Sequence, residues 1–113
     1  MSNKDLVWAL RKLGFLVSAR SRNTWKDLRE NYRKRTPTVI AWMLHGYIGH
    51  FSIVVETGEN HVTLADPDNG KLRKLSKELF MRLWFDYDEI FFPKRAKDIH
   101  LRWAAVVRGI RHA

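Results

Sequence analysis

Residues 49–70, GHFSIVVETGENHVTLADPDNG, are the stretch that decides the fold of this chain. Two runs rich in β-branched residues, 51–56 and 61–65, flank the sequence Thr-Gly-Glu-Asn at residues 57–60. A turn sequence between two such runs is typical of a β-hairpin. Asp-Asn-Gly at residues 68–70 marks a second turn, so we expect an antiparallel sheet in this region.

A histidine and an aspartate, His50 and Asp66, stand at the two open ends of this hairpin. Residues that face each other in an antiparallel pair have a constant sum of residue numbers. A turn centred on Gly58 and Glu59 predicts a sum of 116 or 117, which puts His50 opposite Asp66 or Pro67. In the 116 register the two side chains share a face, with Cβ atoms about 4.5–5.5 Å apart. A slip of one residue would separate them.

A His–Asp pair such as His50 and Asp66 can serve in acid–base catalysis. A carboxylate that accepts a hydrogen bond from one imidazole nitrogen orients the ring, and the other nitrogen is left free to act on a nucleophile. The spacing suits an ordinary cross-strand polar pair equally well. Two ligands are too few for a zinc site, so we expect no metal and no cofactor. The remaining histidines have no comparable carboxylate partner in the sequence and are expected to be surface or otherwise satisfied residues: His45, His61, His100 and His112.

The rest of the chain predicts one α+β domain over residues 1–113, because no repeat, low-complexity segment or linker interrupts it. Helical periodicity and capping residues predict helices at residues 4–13, 25–34 (capped by Asn23 or Thr24) and after Ser76. Strands are expected at residues 15–20, 38–44, 71–74 and 89–92, and residues 99–107 favour a strand over a helix. The apolar run 38–44 suits a strand buried on both faces, and Trp84 and Trp103 are expected in the core.

Composition excludes several classes of protein. The 113 residues are 45% apolar, and none of their apolar runs approaches the roughly 20 residues that span a bilayer. The N-terminus carries charges inside its apolar pattern and is not a secretory signal. The chain has no cysteine, which excludes disulfides and thiolate zinc sites and suits a reducing compartment. We therefore expect a cytoplasmic protein without a membrane span.

Basic residues are concentrated in the first third of the chain. Residues 1–36 carry ten Lys/Arg against three Asp/Glu, a charge of +7, whereas residues 37–113 carry eleven against nine, a charge of +2. A basic surface favours nucleic acid or an acidic partner, but a solvated basic surface is an equally ordinary interpretation. The candidate basic patch comprises Arg11, Lys12, Arg20, Arg22, Lys26, Arg29, Arg33, Lys34 and Arg35.

Several of these pieces together carry a family resemblance. Gly-His-Phe-Ser-Ile-Val-Val at 49–55, Leu-Ala-Asp-Pro at 64–67 and a Leu-Ser-Lys-Glu-Leu-Phe helix at 75–80 follow one another in order, with Trp84 after them. This order resembles the papain-like cysteine peptidases that remove double-glycine leaders from bacteriocin precursors. Residues 5–14, 24–28 and 36–41 also resemble family segments, so the similarity spans residues 4 to about 107.

The resemblance implies a fold and two roles. The fold would be part of a papain-like peptidase, with an antiparallel β-sheet, flanking helices and the central cysteine-bearing helix absent. His50 would be the general base that pairs with a thiol, and Asp66 would orient its imidazole. The family's Cys-Gly-Pro helix and upstream Gln have no counterpart in this sequence. Without a nucleophile or oxyanion hole, the chain is expected not to cleave peptides by itself, which favours a divided, truncated or inactive peptidase.

The missing helix leads us to expect a covering partner, and two alternative functions remain open. Strand residues such as Leu44 and Val54 should lie uncovered, so we expect a partner chain, a second copy or another part of the same protein over them. The first alternative is a pseudo-peptidase module that binds an extended peptide beside His50, Trp42 and Gly49 by strand addition. The second alternative is a basic scaffold protein that binds nucleic acid or a ribonucleoprotein, with steep salt dependence.

Overall fold

The computed structural model describes residues 1–44, 49–87 and 99–111, and these contain three helices and eight strands. In chain order the elements are α1 Asn3–Lys12, β1 Phe15–Arg20, α2 Trp25–Arg33, β2 Thr38–Met43, β3 Gly49–Thr57, β4 His61–Ala65, β5 Leu72–Ser76, α3 Lys77–Leu83, β6 Phe85–Tyr87, β7 Ile99–Leu101 and β8 Ala104–Ile110.

Six of these strands form the main sheet, in the order β1-β8-β2-β3-β4-β5. Neighbouring strands in this order run antiparallel. The short strands β6 and β7 form a separate antiparallel pair. The architecture is therefore α+β, with an antiparallel sheet flanked by helices, as the sequence predicted.

Each helix begins at a side chain that satisfies its free backbone N–H groups. In α1 the Ser2 hydroxyl accepts from the backbone N–H of Asp5, and the Asp5 carboxylate accepts from that of Ser2. Thr24 and Asp27 form the same capping box at α2, and Ser76 caps α3. The described helices have ten residues or fewer, and none is long and apolar enough to cross a membrane.

Strand β2 lies inside the sheet and buries both of its faces, which explains its continuous apolar sequence. On one face, Val39 and Ala41 pack with α1 through Leu6, Val7 and Leu10. On the other, Ile40 and Trp42 pack with α2 and α3. That second cluster is the larger one and includes Trp25, Leu28, Val62, Leu64, Phe80 and Trp84. Alternation along β2 therefore sends α1 and α2 to opposite faces of the sheet.

The C-terminal segment differs from the single element predicted for residues 99–107. The chain forms β7, reverses at Arg102 with a φ of 50°, and then enters β8 in the other sheet. Periodicity cannot reveal this break, because the residues on both sides have strand-forming character. Trp84 and Trp103 are buried as predicted, at 1% and 6% exposure. The strand expected at residues 89–92 lies outside the described residues.

The strand residues expected to be uncovered are covered by the chain itself. Leu44 and Val54 are half-buried and pack against the cluster formed with α2 and α3. The two helices cover much of Leu44 and Val54 on that face, and the partner chain or second copy expected over the sheet stays a prediction. Apolar side chains of β3 are instead exposed at Ile53 and Val55, at 36% and 40%.

Candidate functional site

The hairpin β3–β4 has a register different from the predicted one. Ile53 pairs with Ala65, a sum of 118, and Glu56 pairs with Thr63, a sum of 119. The change occurs at a bulge that leaves Val55 without a partner residue in β4. The predicted sums of 116 and 117 are therefore wrong. Since 116 and 118 are both even, the residues before the bulge keep the face relation of the 116 register, and His50 and Asp66 stay on one face.

The corrected register still brings His50 and Asp66 together. Continuing the sum of 118 past Ala65 would put Asp66 opposite Ser52, so His50 approaches Asp66 along the diagonal rather than directly across. The imidazole Nε2 lies 2.6 Å from Asp66 Oδ1. The Asp66 side chain is 8% exposed and that of His50 is 28% exposed. This contact confirms the prediction that the two side chains meet, although the strand register differs from the predicted one.

A tight loop holds Asp66 at the end of β4. Its backbone N–H donates to the Lys71 carbonyl at 2.9 Å, and its own carbonyl accepts from the N–H of Gly70 at 2.8 Å. The Asn69 side chain accepts from the N–H of Lys71 at 2.8 Å. Gly70 has a φ of 70°, a conformation that residues with a Cβ rarely adopt. The turn sequence Asp-Asn-Gly thus positions the carboxylate as well as reversing the chain.

Arg73 of β5 is a second partner of the carboxylate, and sequence analysis missed it. Its Nη2 lies 3.6 Å from Asp66 Oδ2, while His50 contacts Oδ1. The pKa of Asp66 is held below the ordinary 3.8, chiefly by the hydrogen bond from His50, against the opposing effect of burial. The charges of His50, Arg73 and Lys71 lower it further. Asp66 is therefore a carboxylate at neutral pH.

Trp42 supports the histidine from inside the core. The Trp42 and His50 rings meet edge to face, with centroids 6.5 Å apart and an interplanar angle of 75°. The indole N–H donates to the Ser52 hydroxyl at 2.9 Å, and both side chains are buried. Trp42 is 1% exposed, so the prediction that it contacts a bound peptide does not fit the structure. It positions the imidazole instead, while Gly49 is exposed beside it.

One ring nitrogen of His50 is left for chemistry. Asp66 takes Nε2, and among the described residues no group hydrogen-bonds to Nδ1. His50 also lines an open groove of about 500 Å³ between α1 and β3. We call this the His50 groove, and its walls are mostly apolar: Leu6, Leu10, Val39, Phe51 and Ile53.

Comparison with known proteins identifies the type of domain. A family model described as the peptidase C39 family matches residues 1–97. The chain belongs to the peptidase C39 family. The predicted membership is thereby confirmed, and the antiparallel α+β fold agrees with part of a papain-like C39 domain. None of the curated proteins matches this chain.

This C39 chain carries no cysteine among its 113 residues. The described residues also contain no group of three His, Asp or Glu side chains that could hold a metal ion. Of the serines near the pair, Ser52 is fully buried and its hydroxyl accepts from Trp42. The chemistry that the described residues offer at this site is therefore an oriented imidazole with one free nitrogen.

The basic patch predicted for this C39 chain does not form one surface. Arg11 and Lys12 belong to α1, whereas the basic residues from Lys26 to Arg35 lie on or just after α2, and the two helices pack on opposite faces of the sheet. The Arg20 guanidinium pairs with Asp27 at 3.2 Å, which offsets part of the charge between the helices. This division weakens the nucleic-acid scaffold hypothesis, which needs the charges side by side.

A second histidine in the C39 chain also has a carboxylate partner. His61 Nε2 lies 2.9 Å from Glu56 Oε1, so the prediction that His61 lacks a comparable partner is wrong. The bulge at Val55 brings these side chains together, and no sequence pattern marks it. Both are substantially exposed, at 32% and 52%, which distinguishes this surface pair from the more deeply buried His50–Asp66 pair.

Proposed function

We propose that this C39 chain is the His/Asp-bearing part of a double-glycine-type cysteine peptidase. The thiol nucleophile would come from outside these 113 residues, because they contain no cysteine. The observation that carries the proposal is the 2.6 Å contact between His50 Nε2 and the nearly buried Asp66 Oδ1. An imidazole held in this way by a carboxylate is the arrangement that activates a thiol or hydroxyl.

Each residue of the pair has a separate task in this proposal. His50 Nδ1 accepts the thiol proton, and the resulting thiolate attacks the carbonyl carbon of the peptide. Asp66 keeps the ring in place through Nε2 and stabilises the imidazolium that forms. Its lowered pKa keeps it charged for this purpose throughout the neutral range. Trp42 prevents the ring from tilting away from the carboxylate, because it packs against the ring from β2.

The His50 groove supports the proposal as the place where the nucleophile-bearing segment docks. The groove is open, has apolar walls and is lined by His50 itself. Ile53, on its wall, is 36% exposed, so a covering helix would remove apolar surface from water there. The imidazole packs with Trp42 on the opposite face of the sheet from Leu6 and Leu10, so the thiol would have to reach it around the end of β3 at Gly49, which also lines the groove.

The experiment is reconstitution in trans. The chain is mixed with a separate polypeptide that carries the family's Gln and Cys-Gly-Pro helix, and hydrolysis of a double-glycine leader peptide is followed. We expect cleavage from the mixture and none from either part alone. His50→Ala should reduce turnover by at least about 10²-fold, the usual contribution of a general base. His61→Ala is the matched control, since His61 also pairs with a carboxylate but lies on the surface.

Two results would contradict the proposal. One is a stable complex of the two parts that binds the leader peptide and does not cleave it. The other is an equal loss of turnover in the His50 and His61 variants, which would show that the variants act through stability rather than through a proton transfer. Unfolding curves of both variants separate these causes.

The lack of cysteine also favours a second candidate, a pseudo-peptidase that binds peptides without cleaving them. In that case the leader peptide binds the chain alone, and His50→Ala leaves its affinity unchanged. A peptidase part that needs its nucleophile segment to complete the groove would instead bind the leader only in the mixture.

A further inference from the structure

Large apolar side chains are exposed together at one end of the sheet, where α1 ends, β1 begins and β8 ends. Their exposed fractions run from 47% to 75%, and they are Trp8, Leu13, Leu16 and Ile110. Leu13 caps α1, and Ile110 pairs with Phe15 across the two strands. The Gly14 carbonyl accepts from the backbone N–H of Arg111 at 2.6 Å and ties these segments together. We call these four side chains and the cations beside them the end surface.

The charges of the end surface have one sign. Four exposed cations belong to it: Arg11, Lys12, Arg108 and Arg111. Residues 6–20 and 99–111, which form this end of the molecule, contain no Asp or Glu. Asp5 lies in the first turn of α1 and is held there by its capping box. Within the described part of the chain none of the four cations forms an ion pair, so the surface attracts anions without an internal counter-charge.

The apolar and basic side chains adjoin one another. A shallow depression of about 240 Å³ brings together one leucine and three arginines of this end: Leu16, Arg11, Arg108 and Arg111. Arg11 also lines the larger depression beside Trp8, so the two depressions meet at its side chain. No acidic residue lines either depression among the residues described. Exposed apolar side chains that are grouped in this way mark interaction sites, whereas scattered ones are ordinary.

The side chains of the end surface suit a lipid surface better than a nucleic acid. Single-stranded nucleic acids stack their bases on open aromatic faces. The Lys12 ammonium lies over the Trp8 ring, 4.7 Å from its centre, and the other exposed apolar side chains are aliphatic. Proteins that bind anionic membranes place aliphatic and Trp side chains at headgroup depth, with Lys and Arg against the charged lipids. Apolar exposure and positive charge together therefore match an anionic bilayer.

We propose that the end surface docks this chain on an anionic membrane, with Leu13, Leu16 and Ile110 at headgroup depth and the four cations against the lipid headgroups. The contact is peripheral and reversible, because a few side chains bury much less apolar surface than an inserted helix. The residues that line the two depressions do not line the His50 groove. Docking therefore leaves the groove open, and it requires neither a nucleophile nor peptidase activity.

The test is co-sedimentation of the full chain with sucrose-loaded lipid vesicles. Phosphatidylcholine vesicles that contain about 30% phosphatidylserine should bind the chain at least about tenfold more tightly than vesicles of phosphatidylcholine alone. Raising the salt from about 0.1 M to about 0.5 M should weaken this binding, because salt screens the attraction between the cations and the headgroups.

Substitutions in the end surface have matched controls on α2 and α3, which pack on the opposite face of the sheet from α1. Leu16→Ala should lower vesicle affinity about fivefold or more, whereas Leu79→Ala on α3 should not, although both leucines are 47% exposed. Arg111→Gln should lower affinity about fivefold, whereas Arg33→Gln on α2 should leave it unchanged. All four side chains are exposed, and urea unfolding of each variant checks that the fold is intact.

Trp8 reports the contact directly. It is 62% exposed, whereas the other four tryptophans are at most 8% exposed. Lipids with brominated acyl chains should therefore quench part of the tryptophan emission when the chain binds anionic vesicles. Trp8→Phe should remove this quenching and keep most of the affinity, since phenylalanine retains an apolar ring at the same place.

Three results would overturn the proposal. The first is no sedimentation with the anionic vesicles at lipid concentrations up to about 5 mM, which is weaker than a single acyl anchor gives. The second is an equal loss of affinity in Arg33→Gln and Arg111→Gln, which would show attraction by net charge alone. The third is unchanged vesicle binding in Leu16→Ala and Leu13→Ala together with displacement by a single-stranded oligonucleotide, which would identify a nucleic-acid surface instead.

Discussion

Replacing Asp66 by Ala tests the central contact of the site through stability, without any assumption about activity. The substitution removes the carboxylate that accepts from His50 Nε2 at 2.6 Å and that faces Arg73 Nη2 at 3.6 Å. Because the Asp66 side chain is 8% exposed, water replaces its interactions poorly. The variant should therefore unfold at a lower urea concentration than the wild type.

The magnitude follows from the two contacts. A hydrogen bond to a charged group contributes about 1.5–3 kcal/mol to the free energy of unfolding. The Arg73 contact exceeds hydrogen-bond distance, and partly exposed ion pairs contribute about 0–1 kcal/mol. His50 and Arg73 are 28% and 31% exposed and regain some water in the variant, so we expect a net loss of about 2 kcal/mol. Asp66→Asn keeps an acceptor and should cost about half as much.

The loss should depend on pH in a defined direction. The pKa of Asp66 in the folded protein lies below the ordinary 3.8. A lowered carboxyl pKa stabilises the folded state above the ordinary value, and this contribution disappears as pH falls through the folded pKa. Urea unfolding should therefore separate the wild type from Asp66→Asn at pH 7, and the difference should vanish well below pH 3.8.

Double-mutant cycles identify the partner. Coupling between Asp66→Ala and His50→Ala should exceed about 1 kcal/mol, whereas coupling between Asp66→Ala and Arg73→Ala should stay below about 0.5 kcal/mol. The reasoning is refuted if the Arg73 coupling is the larger one, or if Asp66→Ala is as stable as the wild type at pH 7.

Four other substitutions test the surroundings of the site and the core. Ser52→Ala leaves the buried Trp42 indole N–H without its acceptor and should lower the free energy of unfolding by about 1–3 kcal/mol; an unchanged urea midpoint would contradict this. Leu28→Ala removes a side chain that is 1% exposed and should cost about 2–5 kcal/mol. By the same urea assay Leu13→Ala, at 75% exposure, should cost less than about 0.5 kcal/mol. Gly70→Ala introduces a Cβ at a φ of 70° and should cost about 1–2 kcal/mol, and an unchanged thermal midpoint would rule out strain at this turn.

Local features of the fold were predictable because they depend on neighbouring residues. Ser76 was expected to begin a helix, and Asn23 or Thr24 another; the hydroxyls of Ser76 and Thr24 do so. The Asp-Asn-Gly turn was expected, and Gly70 adopts the positive φ that such a turn uses. Strand 38–44 was expected to bury both faces, and β2 does. Capping and turn formation act over three or four residues, so the sequence contains them directly.

Long-range features were not predictable, because they depend on pairing between strands that are distant in the sequence. The bulge at Val55 shifted the hairpin register, and it also paired His61 with Glu56. Arg73 reached Asp66 because β5 pairs with β4 in a register that no local signal specifies. The reversal at Arg102 depends on β8 joining β1 and β2, strands from the other end of the chain.

The sequence by itself determined that His50 and Asp66 stand at the open end of one hairpin, and one of the two registers it allowed, the 116 register, put them on the same face. The structure decided between the faces, because its register sum of 118 is also even. The sequence also determined the family, through the order of its motifs. Only the tertiary structure decided that the contact is diagonal, that Arg73 shares the carboxylate and that Trp42 holds the ring from inside. It likewise divided the basic residues between two faces. These outcomes depend on packing between distant segments, whose free energies no local pattern encodes.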